Sequence, residues 1–118
     1  MSNQVYLGNY RIVEGLAQKY GFQAFFFWPP HITIGAKSLT TEEEELKRRL
    51  DPAEATLYLA VYRKIEPLVP AYQNLTYLGA IFDNCPFLLW LDDIHFTPVG
   101  NALIAQKMLE VLRARSVL

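Results

Sequence analysis

The residues best suited to chemistry are an aspartate and a histidine three positions apart, Asp92 and His95. They come directly before Thr97-Pro98, a pair that is typical of the start of a helix. A histidine works as a general base only when a hydrogen-bond acceptor fixes its tautomer and stabilises the imidazolium that forms during the reaction. Because Asp92 can supply that acceptor from the same loop, the spacing predicts the acid and the base of a hydrolytic triad.

The same segment allows other interpretations. Asp93 competes with Asp92 for the role of the acid, although the three-residue spacing favours Asp92, and we expect Asp93 to be a solvated neighbour. His95 could simply hydrogen-bond Asp92 to hold the loop. Asp83 could join these side chains around a metal ion, but nothing in the spacing matches a metal-ligand motif. We therefore expect neither a metal nor another cofactor.

A nucleophile for this base is not evident among the three serines of the chain. Ser2 lies near the terminus and Ser116 in the tail of the last helix. Only Ser38 could approach the active face, and it lacks the tight strand-to-helix turn that presents a nucleophilic serine. Loss of the nucleophile costs a serine protease about 10⁶-fold in turnover, so we expect the isolated chain to be close to inert.

Composition narrows the class of protein. A chain of 118 residues with 52% hydrophobic residues is large and apolar enough to fold as one domain around a core. Its formal net charge of -1 does not favour nucleic acid as a partner. Cys85 has no second cysteine with which to form a disulfide, and we expect it to fill the core.

The sequence shows no membrane or targeting signal. The longest apolar run, residues 24–28, is too short for a membrane span, and the polar start, residues 1–4, does not resemble a signal peptide. The composition indicates no compartment.

Local signals predict four helices. The first ends at about Tyr20, where Gly21 suits a left-handed C-terminal cap. Thr41 with Glu44 forms a capping-box pattern for a helix over residues 42–50, and the acidic run 42–45 is expected to be its solvated start. Asp51-Pro52 and Thr97-Pro98 begin the third and fourth helices. The predicted core positions are Tyr6, Tyr10, Val13, Ala17 and Tyr20, then Leu57, Ala60, Val61, Ile65 and Leu68, then Ile104, Met108, Val111 and Leu112.

Two apolar stretches predict buried strands of a parallel sheet. Residues 22–28 end at Pro29-Pro30, and residues 74–82 run into a turn at Asp83-Asn84. Residues 87–91 form a further apolar segment that leads to Asp92. Alternating helices and strands favour an α/β layered architecture, but so few strands leave an edge and part of a helix-binding face uncovered. The chain is therefore expected to be part of a larger sheet.

Two further residues are candidates for substrate binding, His31 and Trp28. Residues 31–40 are predicted to be a loop that leaves the carboxyl end of the first strand, which is where ligands bind in α/β sheets. A lone loop histidine is usually a surface residue, and a substrate contact is the alternative for His31. The same alternative applies to Trp28.

The order of these elements and motifs resembles the C-terminal half of the SGNH (GDSL-like) hydrolases. The resemblance spans nearly the whole chain: a helix, an aromatic strand that ends in a proline, a long loop, a helix and a strand with Ile81-Phe82-Asp83. Its most specific part is Leu91-Asp92-x-x-His95-x-Thr97-x-x-Gly100-Asn101-x-x-Ile104-Ala105. It implies a partial flavodoxin-like three-layer α/β/α sandwich that hydrolyses small esters, with Asp92 and His95 in the family's acid and base positions.

The chain also departs from this family. Members carry their nucleophile in a Gly-Asp-Ser block near the start, with further glycine and asparagine blocks for the oxyanion, and the 118 residues contain none of these. The resemblance therefore implies a single partial domain over residues 1–118 that lacks the serine-bearing N-terminal part. Two alternatives stay open: a non-catalytic binding subunit or pseudoenzyme, and one chain of a split hydrolase that pairs with a complementary chain or with a second copy of itself.

Overall fold

The chain forms a mixed α/β structure with a small parallel sheet. We describe residues 3–117 in a computed structural model. The helices are α1 (Asn3–Tyr20), α2 (Thr41–Arg48), α3 (Pro52–Ile65) and α4 (Pro98–Ala114), with a 3-10 helix (Glu66–Ala71) after α3, and the strands are β1 (Phe26–Trp28) and β2 (Leu75–Tyr77). Within the described residues no helix is both long and apolar enough to cross a membrane.

The helix ends follow the local signals with one exception. Gly21 has a φ of 73° and its N–H donates to the Ala17 carbonyl, so the predicted left-handed cap of α1 is confirmed. Asp51 caps α3 by accepting from Ala53 N, and Pro52 is the first residue of that helix, as predicted. The predicted capping box of α2 is wrong by one residue, because Thr40 forms it and not Thr41.

The sheet is shorter than predicted. β1 and β2 pair in parallel, with Phe26 opposite Leu75 and Trp28 opposite Tyr77. The rest of the predicted stretches 22–28 and 74–82 is not strand. A residue belongs to a strand only where it pairs with a neighbouring segment, and these two segments run side by side over three residues only. Residues 87–91 likewise form no strand, only a single antiparallel bridge between Trp90 and Phe96.

Two helices cover one face of this sheet. Phe26 and Trp28 point to the same face because side chains alternate along a strand. Tyr10 of α1 packs on Phe26 at 4.8 Å between ring centroids, and Trp28 lies between Tyr6 of α1 at 4.6 Å and Tyr62 of α3 at 5.6 Å. The buried residues of this first core cluster are Leu7, Tyr10, Trp28, Tyr62, Ile65, Val69 and Leu75.

The predicted core stripes are partly wrong. Tyr20 is exposed at the end of α1, and three of the five predicted positions of the α3 stripe are exposed as well: Leu57, Ala60 and Leu68. Helix α3 is rotated so that Tyr62 and Ile65 are its buried residues, since the large tyrosine ring fills the space beside Trp28. The remaining predicted positions of α1 and α4 are buried or half-buried.

A second core cluster lies beneath the segment that carries Asp92 and His95. Its buried residues are Ile32, Phe82, Leu89 and Trp90. Leu46 of α2, and Leu103 and Ile104 of α4, pack against it. This cluster connects the loop after β1, the turn after β2 and α4, and the candidate site lies directly above it.

Candidate active site

Asp92 and His95 form a hydrogen-bonded pair, as the sequence predicts. Asp92 Oδ2 lies 2.8 Å from His95 Nδ1. Asp92 Oδ1 accepts from the backbone N–H groups of Ile94 at 2.9 Å and His95 at 2.6 Å. Three donors thus converge on one carboxylate, which fixes the imidazole ring relative to the loop backbone.

The electrostatics of the pair determine the tautomer of His95. The backbone hydrogen bonds from Ile94 and His95, together with the one from the His95 side chain, lower the pKa of Asp92 below its usual range. Asp92 is therefore ionised at neutral pH and can only accept hydrogen bonds. The proton of a neutral His95 must then sit on Nδ1, which leaves Nε2 as the nitrogen that can take a proton from a reacting group.

We refer to residues 88–97 as the site loop, which is closed at its base by hydrogen bonds. Leu91 N donates to the His95 carbonyl at 2.9 Å, and Thr97 N donates to the Leu89 carbonyl at 2.8 Å. The Thr97 hydroxyl donates to the Leu88 carbonyl and accepts from Gly100 N, each at 3.2 Å, so one side chain caps α4 and also closes the loop.

Gly100 explains part of the motif that follows the histidine. A Cβ atom at this position would lie 2.9 Å from the Leu89 carbonyl oxygen and 3.0 Å from Phe96 Cβ. The first distance is shorter than real Cβ atoms show, and the second would require Phe96 to move slightly. Glycine therefore lets the first turn of α4 press directly against the base of the site loop.

Sequence reasoning missed a buried carboxylate beneath the loop, Glu43. It lies in the acidic start of α2, which was expected to be solvated, yet its side chain is fully buried and 2.6 Å from the amino group of Lys37. Glu43 Oε1 also accepts from Thr40 N at 3.0 Å, while Oε2 accepts from Leu89 N at 2.9 Å and Trp90 N at 3.2 Å. The only sign of this in the sequence is that either Thr40 with Glu43 or Thr41 with Glu44 could form the capping box.

His31 is buried, so its interpretation as a surface residue is wrong. Its ring stacks on Tyr58 at 3.8 Å between centroids and meets Trp90 of the site loop edge to face at 6.4 Å. Nδ1 lies 2.8 Å from the Thr33 hydroxyl, whereas Nε2 is buried without a hydrogen-bond partner among the described residues. Burial lowers the pKa of His31, and the nearby charge of Asp93 opposes this effect. His31 therefore lies directly beside the site loop.

Trp28 lines an apolar cavity of about 430 Å³ at the carboxyl end of β1. This volume is in the range of small-molecule sites. Tyr58 lines the same cavity and stacks on His31, which in turn contacts Trp90 of the site loop. The lining residues are Tyr6, Trp28, Pro29, Glu54, Leu57, Tyr58, Val61 and Tyr62.

The remaining candidates are not assembled at the pair. Asp83 accepts a hydrogen bond from Ala36 N at 2.8 Å and so holds the loop after β1. Within residues 3–117 no cluster of three or more histidine, cysteine or acidic side chains could hold a metal ion. Ser38 and Ser116 are exposed, and neither is hydrogen-bonded to His95 in the described part of the chain. Ser2 lies outside the described residues.

Comparison with known proteins adds no relative. No protein-family model, curated protein or solved structure matches this chain. The chemistry of the site must therefore be argued from its own geometry.

Proposed function

We propose that this chain supplies the acid and base of a serine ester hydrolase of the SGNH type, with the serine and the oxyanion donors contributed from outside these 118 residues. The observation that carries the proposal is the hydrogen bond between Asp92 Oδ2 and His95 Nδ1. It orients the imidazole so that Nε2 is the basic atom, which is the arrangement a hydrolytic triad requires.

The reaction follows from this arrangement. His95 Nε2 takes the hydroxyl proton of the serine as its oxygen attacks the ester carbonyl carbon, and Asp92 stabilises the imidazolium. The imidazolium then returns the proton to the leaving alcohol as the ester bond breaks, which leaves an acyl-serine. Water, deprotonated by the same nitrogen, releases the acid and restores the serine.

The exposure of the pair supports an incomplete site. The side chains of His95 and Asp92 are 68% and 49% exposed. In a working triad the aspartate is buried, because its charge acts on the histidine strongly only where water is excluded. A further structural element that covers Asp92 would bring the pair to that state.

The shape of the chain supports the finer assignment to a three-layer α/β/α sandwich that is completed by other residues. Its principal extents are 48 × 31 × 20 Å, and its radius of gyration of 15.6 Å exceeds the roughly 13.5 Å that a compact domain of this length has. Phe27 of β1 points away from α1 and α3 and belongs to neither core cluster of the described residues. Since parallel sheets are covered on both faces, a second helix layer and further strands would fit here.

The cavity beside Trp28 fits the apolar part of a small ester. It opens at the carboxyl end of β1, the same end at which the site loop contacts His31. Aromatic side chains from α1, β1 and α3 line it, so an acyl or aromatic group would be desolvated there. His31 and Trp28 are in this proposal the substrate-binding residues of the chain.

The test begins with the coding sequence upstream of the codon for Met1, searched for an in-frame strand followed by Gly-Asp-Ser. The longer polypeptide is then purified and assayed with p-nitrophenyl acetate and with a serine-reactive fluorophosphonate. We expect ester hydrolysis that His95→Ala reduces by about 10⁴- to 10⁶-fold and Asp92→Asn by about 10⁴-fold.

Asp93→Asn is the matched control, since Asp93 is adjacent and not bonded to His95, and it should keep most of the activity. Hydrolysis that survives His95→Ala would contradict the proposal. If the upstream sequence carries no serine block and a stop codon intervenes, the non-catalytic and split-enzyme alternatives replace it, and a concentration-dependent mass would favour the split enzyme.

A further inference from the structure

We infer that Glu43 is the positioning residue of the Asp92–His95 pair: its buried carboxylate fixes the base of the site loop from beneath. The inference deepens the proposed function and rests on it for the meaning of the pair. Its geometry can be tested on this chain without any ester.

The two oxygens of Glu43 face different parts of the molecule. Oε1 holds the start of α2 through Thr40 N and the amino group of Lys37. Oε2 accepts the backbone N–H groups of Leu89 and Trp90, which are consecutive residues at the base of the site loop. One carboxylate thus joins helix α2 to the strand-like segment that leads to Asp92.

This connection has no equivalent among the other hydrogen bonds described for the site loop. Those from Leu91, Ile94 and His95 run within the loop, and those of Thr97 run to the loop or to the start of α4. They keep the loop closed but do not connect it to α2. The bonds to Glu43 tie the loop to α2, and hydrogen bonds to an ionised acceptor are about twice as strong as neutral ones.

The effect reaches the pair through two short steps. Trp90 is bridged to Phe96 across the loop, and Leu91 N donates to the carbonyl of His95. A shift at Leu89 or Trp90 therefore moves the backbone of His95, whose N–H is one of the donors to Asp92 Oδ1. Lys37 neutralises Glu43, which makes the burial of the carboxylate tolerable.

The experiment compares three variants by NMR. Lys37→Met with Glu43→Gln removes both charges and leaves one acceptor oxygen, so no unpaired charge is buried. Glu43→Asp keeps the charge but is one methylene too short to reach both sides. Glu45→Gln, at an exposed position on the same helix, is the matched control. The measurements are amide hydrogen exchange at Leu89 and Trp90 and the carboxyl titration of Asp92.

We expect both Glu43 variants to exchange the Leu89 and Trp90 amides at least about 10-fold faster. We also expect the Asp92 pKa to rise toward its ordinary 3.8 as the donors from Ile94 and His95 loosen, while Glu45→Gln changes neither quantity. A merely structural role would lower the unfolding midpoint and leave the Asp92 titration of the folded protein as it is. Faster amide exchange with an unchanged Asp92 titration in a folded Glu43 variant would overturn the inference. If the double variant does not fold, the same two measurements on Glu43→Asp test the inference. Absence of esterase activity in the completed protein would count against the proposed function alone.

Discussion

Glu43 of α2 and Asp92 of the site loop are two carboxylates that hydrogen-bond the backbone of the same loop, yet the chain buries the first and leaves the second open to water. Glu43 accepts three backbone N–H groups and Asp92 accepts two, and each carboxylate pairs with a basic side chain. The Glu43 side chain is 0% exposed, and that of Asp92 is 49% exposed. The buried carboxylate of Glu43 holds the base of the site loop in place, whereas the carboxylate of Asp92 stays accessible to solvent at the end proposed for chemistry.

The pKa values of the two groups agree with this division. Burial raises the pKa of Glu43, but the hydrogen bonds from Lys37, Thr40 and Leu89 outweigh it and leave the pKa below its usual range. The pKa of Asp92 is lowered by the N–H groups of its own loop, with little opposition from burial. Both groups are anions at neutral pH, but only the anion of Glu43 depends on a neighbouring cation to remain buried.

The largest effect is expected for Lys37→Met, which leaves the buried carboxylate of Glu43 unpaired. Breaking a buried pair on one side costs about 3–5 kcal/mol, a large part of the stability of a domain. Arg48→Met is the matched control, because the Arg48–Glu45 pair has the same N···O distance of 2.6 Å but side chains 71% and 41% exposed. It should cost no more than about 0.5 kcal/mol. Urea unfolding followed by tryptophan fluorescence measures both, and equal losses would show that burial does not distinguish the pairs.

Gly100→Ala tests the same buried end through its backbone. The added Cβ would press on the Leu89 carbonyl and on Phe96, and overpacking of this kind costs about 1–3 kcal/mol. The alanine regains up to about 1 kcal/mol in helix propensity, so a net loss of about 1–2 kcal/mol is expected. Gly15→Ala in α1, where the Cβ would meet nothing within 4 Å, should instead stabilise the protein. Destabilisation by both changes would mean that the contact with Leu89 is not the cause.

The elements that sequence reasoning predicted well are those set by a few adjacent residues. Gly21 ends α1, Asp51-Pro52 begins α3, and Asp92 bonds His95, because each of these depends on local hydrogen bonds. The strand lengths were overestimated because an apolar run records burial and not which neighbour is available to pair. The three-layer arrangement stays a prediction for the same reason.

Glu43 and His31 could not be assigned from the sequence because their surroundings come from distant segments. Thr40 and Thr41 both precede the acidic run 42–45 at capping distance, and only the loop at Leu89 decides which glutamate turns inward. A histidine after a strand gives no sign that Tyr58 and Trp90 will cover it. Non-local contacts of this kind leave no periodic trace in the chain.

A smaller effect is expected from His31 and depends on pH. Its pKa is lowered in the folded protein, so below the ordinary value of 6.5 the unfolded chain takes up a proton that the folded one does not. Stability should therefore fall as the pH drops through and below 6.5, by no more than about 1.4 kcal/mol per pH unit. His31→Asn should lose this slope, whereas His95→Asn should still carry it. An unchanged slope in His31→Asn, measured by urea unfolding between pH 7 and about 5, would contradict the burial of a neutral ring.

The smallest effect on stability, and the sharpest on chemistry, is expected for Asp92→Asn. The amide oxygen can still accept from Ile94 and His95, and the position is open to water, so the urea midpoint should stay that of the native chain. The amide NH₂ group would then face His95 Nδ1 and donate to it, which moves the ring proton to Nε2 and blocks the basic nitrogen. Ring ¹⁵N shifts of His95 report this exchange of tautomers directly, with Asp93→Asn as the control that should leave them alone. If His95 kept its proton on Nδ1 in Asp92→Asn, the loop backbone and not the carboxylate would set the tautomer. Asp92 would then have no role in the chemistry of the pair.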